Sequence, residues 1–324
     1  HSEWDTANRP TIIKPILFAG SVVLISYSLA TYIHSQRRWS LERRAIRNPQ
    51  SLFENLFGPN PFSSHPSYSN HQYRRNTWLD QNAPALAEFL RDVQGVFIST
   101  KQSVIRTLKN ATAAEKAVWG ILGINVLVWA AWRVPRFQPF MMRHFAHHPL
   151  SGRAHTMLTA TFSHESLLHL WFNMYALLSF SPLFYHHLFG NIEHMLAFYV
   201  SAGTLASLGS HLVSILWLQG RRRIRPSVGA SGALWALLAA LAYTVPDTSI
   251  GLIFLPGFNF SMDQLIPALV AFDIVGLVKG WGFLDHAAHL SGAAVGYAYA
   301  AYGRRWWMWG QVKMEEWRDR LERK

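Results

Sequence analysis

The strongest constraint on this chain is the recurrence of apolar runs long enough to cross a bilayer. Thr11 to Ile33 is such a run, broken only by Lys14 and Pro15 near its start and by scattered small or polar residues. At about 1.5 Å of rise per residue it spans a hydrocarbon core of roughly 30 Å, so a transmembrane helix is expected. Arg37, Arg38, Arg43, Arg44 and Arg47 follow at once and anchor its end at the interface. Six further runs are expected to span: Ala117 to Trp132, Leu167 to Pro182, Ile192 to Leu218, Gly229 to Val245, Met262 to Val278 and Asp285 to Tyr302. The run from Gly229 to Val245 stops at Pro246. The expected fold is an all-α polytopic membrane protein, one helix followed by a six-helix core.

Composition agrees. Half of the 324 residues are hydrophobic, with 14 Trp and 20 Phe, and only 15% are charged, against roughly 25% in soluble domains. The net charge of +12 would suit a nucleic-acid partner if it were gathered on one soluble face with a recognition motif. Here the basic residues lie beside apolar runs, which points to lipid headgroups, so the bilayer is an expected partner and nucleic acid is not. Cysteine is absent, which removes disulfides, thiolate zinc sites and a cysteine nucleophile but leaves the compartment undecided. The chain begins at His1 rather than Met, as expected of a form from which a targeting presequence has been removed.

Between the runs the character changes. Residues 49–84 are rich in Asn, Pro, Ser and His and read as a solvated connection. Over 85–116, Leu86, Phe89, Leu90, Val93, Phe97, Val104 and Leu108 recur at helical spacing, as in an amphipathic helix pair on the membrane surface. Residues 134–162 mix Arg, His and aromatics and are expected half-sunk beside the bundle; residues 250–260 form an apolar loop with Pro256 and Gly257. The expected boundaries are 1–34 for the segment with the extra helix, 35–116 for the linker, 117–303 for the core and 304–324 for an interfacial helix carrying Trp306, Trp307, Trp309 and Trp317.

Polar groups at membrane depth are costly, so they face the bundle interior and mark function. Ser231 stands in Gly229-Ala230-Ser231-Gly232 at a helix start, where the first turn offers free backbone N–H donors. Alone, that string is a weak signal and more often serves packing than chemistry. His289 heads a face of Gly292, Gly296, Ala300 and Gly303, small residues that let two helices approach closely and bring the imidazole to Ser231. His286 sits one turn earlier, in a supporting position. His169 and Asn173 are one helical turn apart and both can donate a hydrogen bond, as an oxyanion hole requires or as an interhelical clamp would use. Asp273 and Glu193 are the acids nearest the core. No His-Glu-x-x-His or comparable spacing occurs, so neither a metal nor a cofactor is expected.

The set His169-x-x-x-Asn173, Gly229-Ala230-Ser231-Gly232 and Ala288-His289-Leu290-Ser291-Gly292 resembles the rhomboid intramembrane serine proteases. The strings Trp132-Arg133-Val134-Pro135, Thr161-Phe162-Ser163-His164, Ile253-Phe254-Leu255-Pro256 and Phe283-Leu284-Asp285-His286-Ala287-Ala288-His289 are similar to the mitochondrial, PARL-type branch, in which an extra helix precedes the core. The resemblance covers residues 117–303 and implies Ser231 as nucleophile and His289 as general base and acid, a dyad without a third acid. It further implies Asn173, His169 and the Ser231 N–H as oxyanion donors, single-pass membrane proteins as substrates, and the mitochondrial inner membrane as location. Ser291-Gly292 stands where the family has Gly-Gly, a small-for-small change. Trp235, one turn after the serine, occupies a position where some relatives stack an aromatic on the imidazole. A catalytically inactive relative that escorts membrane proteins would normally lack Ser231 or His289, and a transporter would want charged pairs at mid-membrane. Counting seven spans, the N-terminus shares a side with loops 133–160 and 219–228; their Arg and Lys place it in the matrix by the positive-inside rule.

Overall fold

The computed structural model describes residues 11–47, 88, 94, 110–218, 224–251 and 259–323. The chain divides into two compact units, one joining residues 1–36 to 113–324 and the other comprising 37–112; the site lies wholly in the first. The linker expectation over 49–84, that over 85–116 apart from residues 88, 94 and 110–116, and the string Ile253-Phe254-Leu255-Pro256 lie outside the described residues; residues 113–116 belong to the first turn of the helix Ala113–Trp132.

The chain is built of helices, as expected. In order these are α1 (Ile13–Arg47), α2 (Ala113–Trp132), the short α3 (Gln138–Phe145) and α4 (Thr156–Thr159), then α5 (Leu167–Leu183), α6 (Ile192–Val213), α7 (Ser231–Thr244), α8 (Met262–Lys279), α9 (His286–Ala298) and α10 (Arg304–Glu322). Single π-helical turns extend α5 through Phe189, α6 through Leu218 and α9 through Gly303. The only described strands, β1 (Ser249–Gly251) and β2 (Asn259–Ser261), pair antiparallel where an irregular apolar loop was expected.

Among the described residues, four helices are long and apolar enough to cross a membrane: Ile13–Arg43, Ala113–Trp132, Leu167–Phe189 and Ile192–Leu218. The helices α7 and α9, which carry Ser231 and His289, are shorter. The 14 residues of α7 extend about 21 Å, less than the roughly 30 Å hydrocarbon core. A helix can stop short of the interface only where protein, not lipid, meets its polar end. That condition holds for α7, since Ala230, Ala233, Ala236 and Ala240 are fully buried.

Two expectations need correction. The second core span, expected over Leu167 to Pro182, runs on past Pro182. Proline at that position has no N–H for the Leu178 carbonyl, but the Ser181 hydroxyl donates to that carbonyl at 3.1 Å and α5 continues to Leu183. Residues 134–162 are not merely beside the bundle, because His147, Thr156, Met157, Ala160 and Thr161 are buried in it. Here α6 makes room with Gly203, where a Cβ would fall 2.5 Å from the Thr161 methyl carbon.

The extra helix α1 runs antiparallel to α6. At one end the Thr11 carbonyl accepts from His211 Nε2 at 3.1 Å, and at the other His34 Nδ1 stands 3.6 Å from the Glu193 carboxylate. The start of α1 therefore lies at the end of α6 from which the chain leads to Ser231. The helix α10 is not wholly interfacial: Trp307 is buried, stacked on His194 at 4.0 Å between ring centroids.

Candidate active site

The segment entering α7 is held extended by three backbone hydrogen bonds. Ser227 pairs with His147 through two backbone hydrogen bonds, of 2.9 and 2.8 Å, and the Gly229 N–H donates to the Ala160 carbonyl at 2.9 Å. Gly229 has φ of 128°, in the region that disfavours any Cβ, and a Cβ there would lie 2.7 Å from the His169 ring. Glycine at this position therefore both makes the turn and admits His169 against it. Ser231 is the first residue of α7, so its hydroxyl stands beside the free N–H groups of a helix start.

The α7 and α9 backbones then meet directly. A Cβ on Gly292 would fall 2.2 Å from the Gly232 carbonyl oxygen, and one on Gly296 would fall 1.9 Å from that of Ala236. Ser291 packs against Gly209 of α6, where a Cβ would meet its side chain at 2.1 Å, so the serine occupies the space that glycine leaves. This seam sets the imidazole: His289 Nε2 lies 2.9 Å from Ser231 Oγ. The Trp235 ring stacks on His289 at 5.2 Å and 24°, which limits rotation of the imidazole out of plane.

The resemblance implies a dyad without an acid, yet the structure places one. Asp273 of α8 is fully buried, and both its carboxylate oxygens lie 3.2 Å from His289 Nδ1. The same carboxylate receives His286 Nδ1. A carboxylate only accepts, so the two Nδ1 atoms carry the protons, and His289 keeps a lone pair on Nε2 for the serine hydroxyl. Sequence reasoning singled out Asp273 as an acid near the core without giving it a partner. The available signal was physical: a carboxylate inside a span requires a donor at the same depth, and the histidines of the next helix are the nearest candidates in the chain. His286 takes the supporting place expected of it, in a notch made by Gly276, where a Cβ would fall 2.4 Å from its ring.

His169 and Asn173 both come from α5, with the His169 ring set against Gly229. The Asn173 amide nitrogen donates one hydrogen to the His169 carbonyl at 2.8 Å, which leaves its second N–H for another acceptor. His169 meets the buried His164 edge-on at 4.9 Å. His164 lies in the loop before α5, with its Nε2 3.4 Å from the Ala230 N–H. Burial first, and then the neighbouring His169, hold its pKa down to about 3. It is therefore neutral at working pH and adds no charge beside His169.

A Rhomboid domain model matches residues 151–306. The presenilin-associated rhomboid-like protein, mitochondrial, of Homo sapiens is 38% identical over 227 residues, 70% of this chain and 56% of that protein. The presenilin-associated rhomboid-like protein A, mitochondrial, of Danio rerio is 41% identical over 190 residues, 58% of this chain and 48% of that protein. Rhomboid protein 1, mitochondrial, of Saccharomyces cerevisiae is 30% identical over 195 residues, 59% and 54% respectively. The chain spans about half the length of the curated relatives it matches. The matched region holds the α5 donors, the α7 serine and the α9 histidine, and the chain belongs to the rhomboid family, in its mitochondrial presenilin-associated rhomboid-like branch.

Proposed function

We propose that this chain is an intramembrane serine endopeptidase of the inner mitochondrial membrane that cleaves single-pass membrane proteins in or beside their transmembrane helix. The observation that carries the proposal is the Ser231 hydroxyl within 2.9 Å of a His289 nitrogen whose ring partner faces a buried carboxylate. The names of the mitochondrial relatives support the location.

As Ser231 Oγ attacks the scissile carbonyl carbon, its proton passes to His289 Nε2. The carbonyl oxygen becomes the oxyanion, received by the Ser231 backbone N–H with Asn173 and His169. Collapse of the tetrahedral intermediate breaks the C–N bond, and His289 gives its proton to the leaving amine. A water, deprotonated by His289, then attacks the acyl-serine, and collapse returns the proton to Ser231 Oγ and frees the carboxylic acid. Asp273 holds the Nδ1–H tautomer throughout and stabilises the transient imidazolium. An intact substrate helix hides its carbonyls in internal hydrogen bonds, so the scissile segment must be one that unwinds readily. An inactive escort factor would not need these groups brought together.

The test is cleavage of a single-pass reporter in proteoliposomes by wild type and by Ser231→Ala at equal insertion. The wild type should cut the reporter and the variant should not; cleavage by both, or by neither, overturns the proposal.

A further inference from the structure

Asp285 is the N-cap of the helix that bears His289, and its bonds reach well beyond that helix. Its carboxylate accepts from the Ala288 N–H at 3.0 Å, while its own carbonyl accepts the His289 N–H at 3.1 Å. Both carboxylate oxygens also accept from Ser210 Oγ of α6, at 2.9 Å each, and one accepts from Ser227 Oγ at 2.5 Å. Ser227 belongs to the segment that enters α7, and it is pinned from behind by its backbone pair with His147. One partly buried carboxylate thus joins the first turn of the histidine helix, the neighbouring α6, and the strand-like lead into the serine. It touches neither reacting atom.

The α7/α9 seam explains why this matters for rate and not only for folding. Below the site, Gly292 on Gly232 and Gly296 on Ala236 bring the helices together backbone to backbone, so the deep half of the seam does not depend on Asp285. The first turn of α9, where His289 sits, meets α7 less closely, since a Cβ on Gly232 would lie 3.6 Å from the Ala288 carbonyl oxygen; Asp273 ties this turn to α8, and Asp285 ties it to the serine's lead-in. A helix held at its deep end and released at its first turn can tilt, and tilt alters the distance from His289 Nε2 to Ser231 Oγ. We infer that Asp285 is a positioning residue: its carboxylate sets the Ser231–His289 distance by tying the start of α9 to Ser227 and Ser210. Charge suits the task, because all three donors approach a group that only accepts, and charge-assisted bonds are the shorter and stronger kind.

This inference rests on the proposed serine chemistry, and the test separates the two. The reporter is the second-order rate constant for phosphonylation of Ser231 by a fluorophosphonate, which reads nucleophile competence in folded protein without a membrane substrate. Wild type should label at Ser231; failure to do so overturns the serine chemistry itself, whatever Asp285 does. Asp285→Ala should reach the same final extent of labelling at a rate lower by roughly 10- to 100-fold, the scale of a misplacement of about 1 Å. On a peptide substrate kcat should fall with KM little changed. Asp285→Asn keeps one accepting oxygen and can donate its amide to a serine hydroxyl, so it should recover most of the loss. If Asp285→Ala labels at the wild-type rate, or if Asp285→Asn is no better than Asp285→Ala, the positioning role is wrong. Should Asp285→Ala fail to fold, Ser210→Ala with Ser227→Ala decides the matter from the other side. A slower rate at full final labelling supports the tie, and an unchanged rate removes it.

Discussion

Two helix seams in this molecule are built on opposite principles. Between α7 and α9, nothing intervenes: Gly292 and Gly296 lie on carbonyls of the facing helix, and most apolar residues along α7 are buried. Where α1 leans on α6 and α10, large rings fill the gap. There Tyr27, His194 and Trp307 pack edge-on or stacked, Tyr299 and His194 share a hydrogen bond of 2.5 Å, and a groove of about 770 Å³ remains, lined by Tyr27, Thr31, Trp306, Trp307 and Trp317 among others. In lipid there is little hydrophobic drive between helices, so association rests on close packing and interhelical hydrogen bonds. The glycine seam fixes backbone against backbone, and the two side chains it carries inherit that fixity. The aromatic seam holds a helix in place while tolerating empty space. The proposed chemistry, which depends on a 2.9 Å contact, sits on the first kind of seam, and the appended helix sits on the second.

The comparison can be broken most directly at Gly296. Gly296→Leu places a side chain where even a Cβ would lie 1.9 Å from the Ala236 carbonyl, so it should force α7 and α9 apart. Cleavage should be lost together with a clear drop in melting temperature in detergent. A variant that stays active and melts as wild type would show that the seam is not tight. Trp307→Ala, on the other seam, should cost about 1–3 kcal/mol of stability yet leave kcat within a few-fold; a loss of turnover as deep as that of Gly296→Leu would erase the distinction.

Within the site, Asp273→Asn should lower kcat by up to about 10⁴-fold if the carboxylate sets the imidazole tautomer as in soluble triads. If it acts only as a structural anchor, melting temperature will fall and kcat will hold. Asn173→Ala should reduce kcat by roughly 10²- to 10³-fold with little change in melting, as removal of an oxyanion donor does. Early melting with an unchanged rate would assign Asn173 to the scaffold.

The smallest expected effect concerns pH. Burial, then the neighbouring His211, His148 and His155, lower the pKa of His147 from 6.5 to about 3. His147 lies between Thr156 Oγ1 at 2.8 Å and His211 Nδ1 at 3.1 Å, and Arg153 is close in the same loop. The unfolded chain takes up a proton near pH 6.5 while the folded chain does not until about pH 3. The linked stability is therefore fully present above about pH 6.5 and is lost as pH falls from there toward 3. Wild type should melt lower at pH 5 than at pH 7, and His147→Asn should narrow that difference. An equal pH dependence in both proteins would show that His147 is not the group responsible.

Much of this was legible in the chain. The apolar runs announced the helices, and the small residues spaced along the last run announced which helix face would be buried. Ser231 and His289 could be singled out because each stands in a short string whose neighbours are informative, and Trp235 through the resemblance alone. The rest depended on contacts distant in sequence. Asp273 lies on a different helix from His289, and no local pattern says that α8 turns that face toward α9. Asp285 reads as an ordinary N-cap, since its bonds to Ser210 and Ser227 appear only when α6 and the α7 lead-in are brought beside it. The end of the second core span was placed too early, at Pro182, because the Ser181 hydroxyl satisfies the carbonyl that proline leaves and the helix runs on. The π-helical turns that lengthen α5, α6 and α9 carry no simple sequence signal.

The central claim is that Ser231 is a nucleophile made so by His289. Mass spectrometry of the protein after reaction with a fluorophosphonate tests it most directly, comparing wild type with His289→Ala at equal folded concentration. A single adduct on Ser231 in the wild type, and essentially none in the variant over the same time, is the result the account predicts. An adduct on another serine, or equal modification of Ser231 in both proteins, would contradict it.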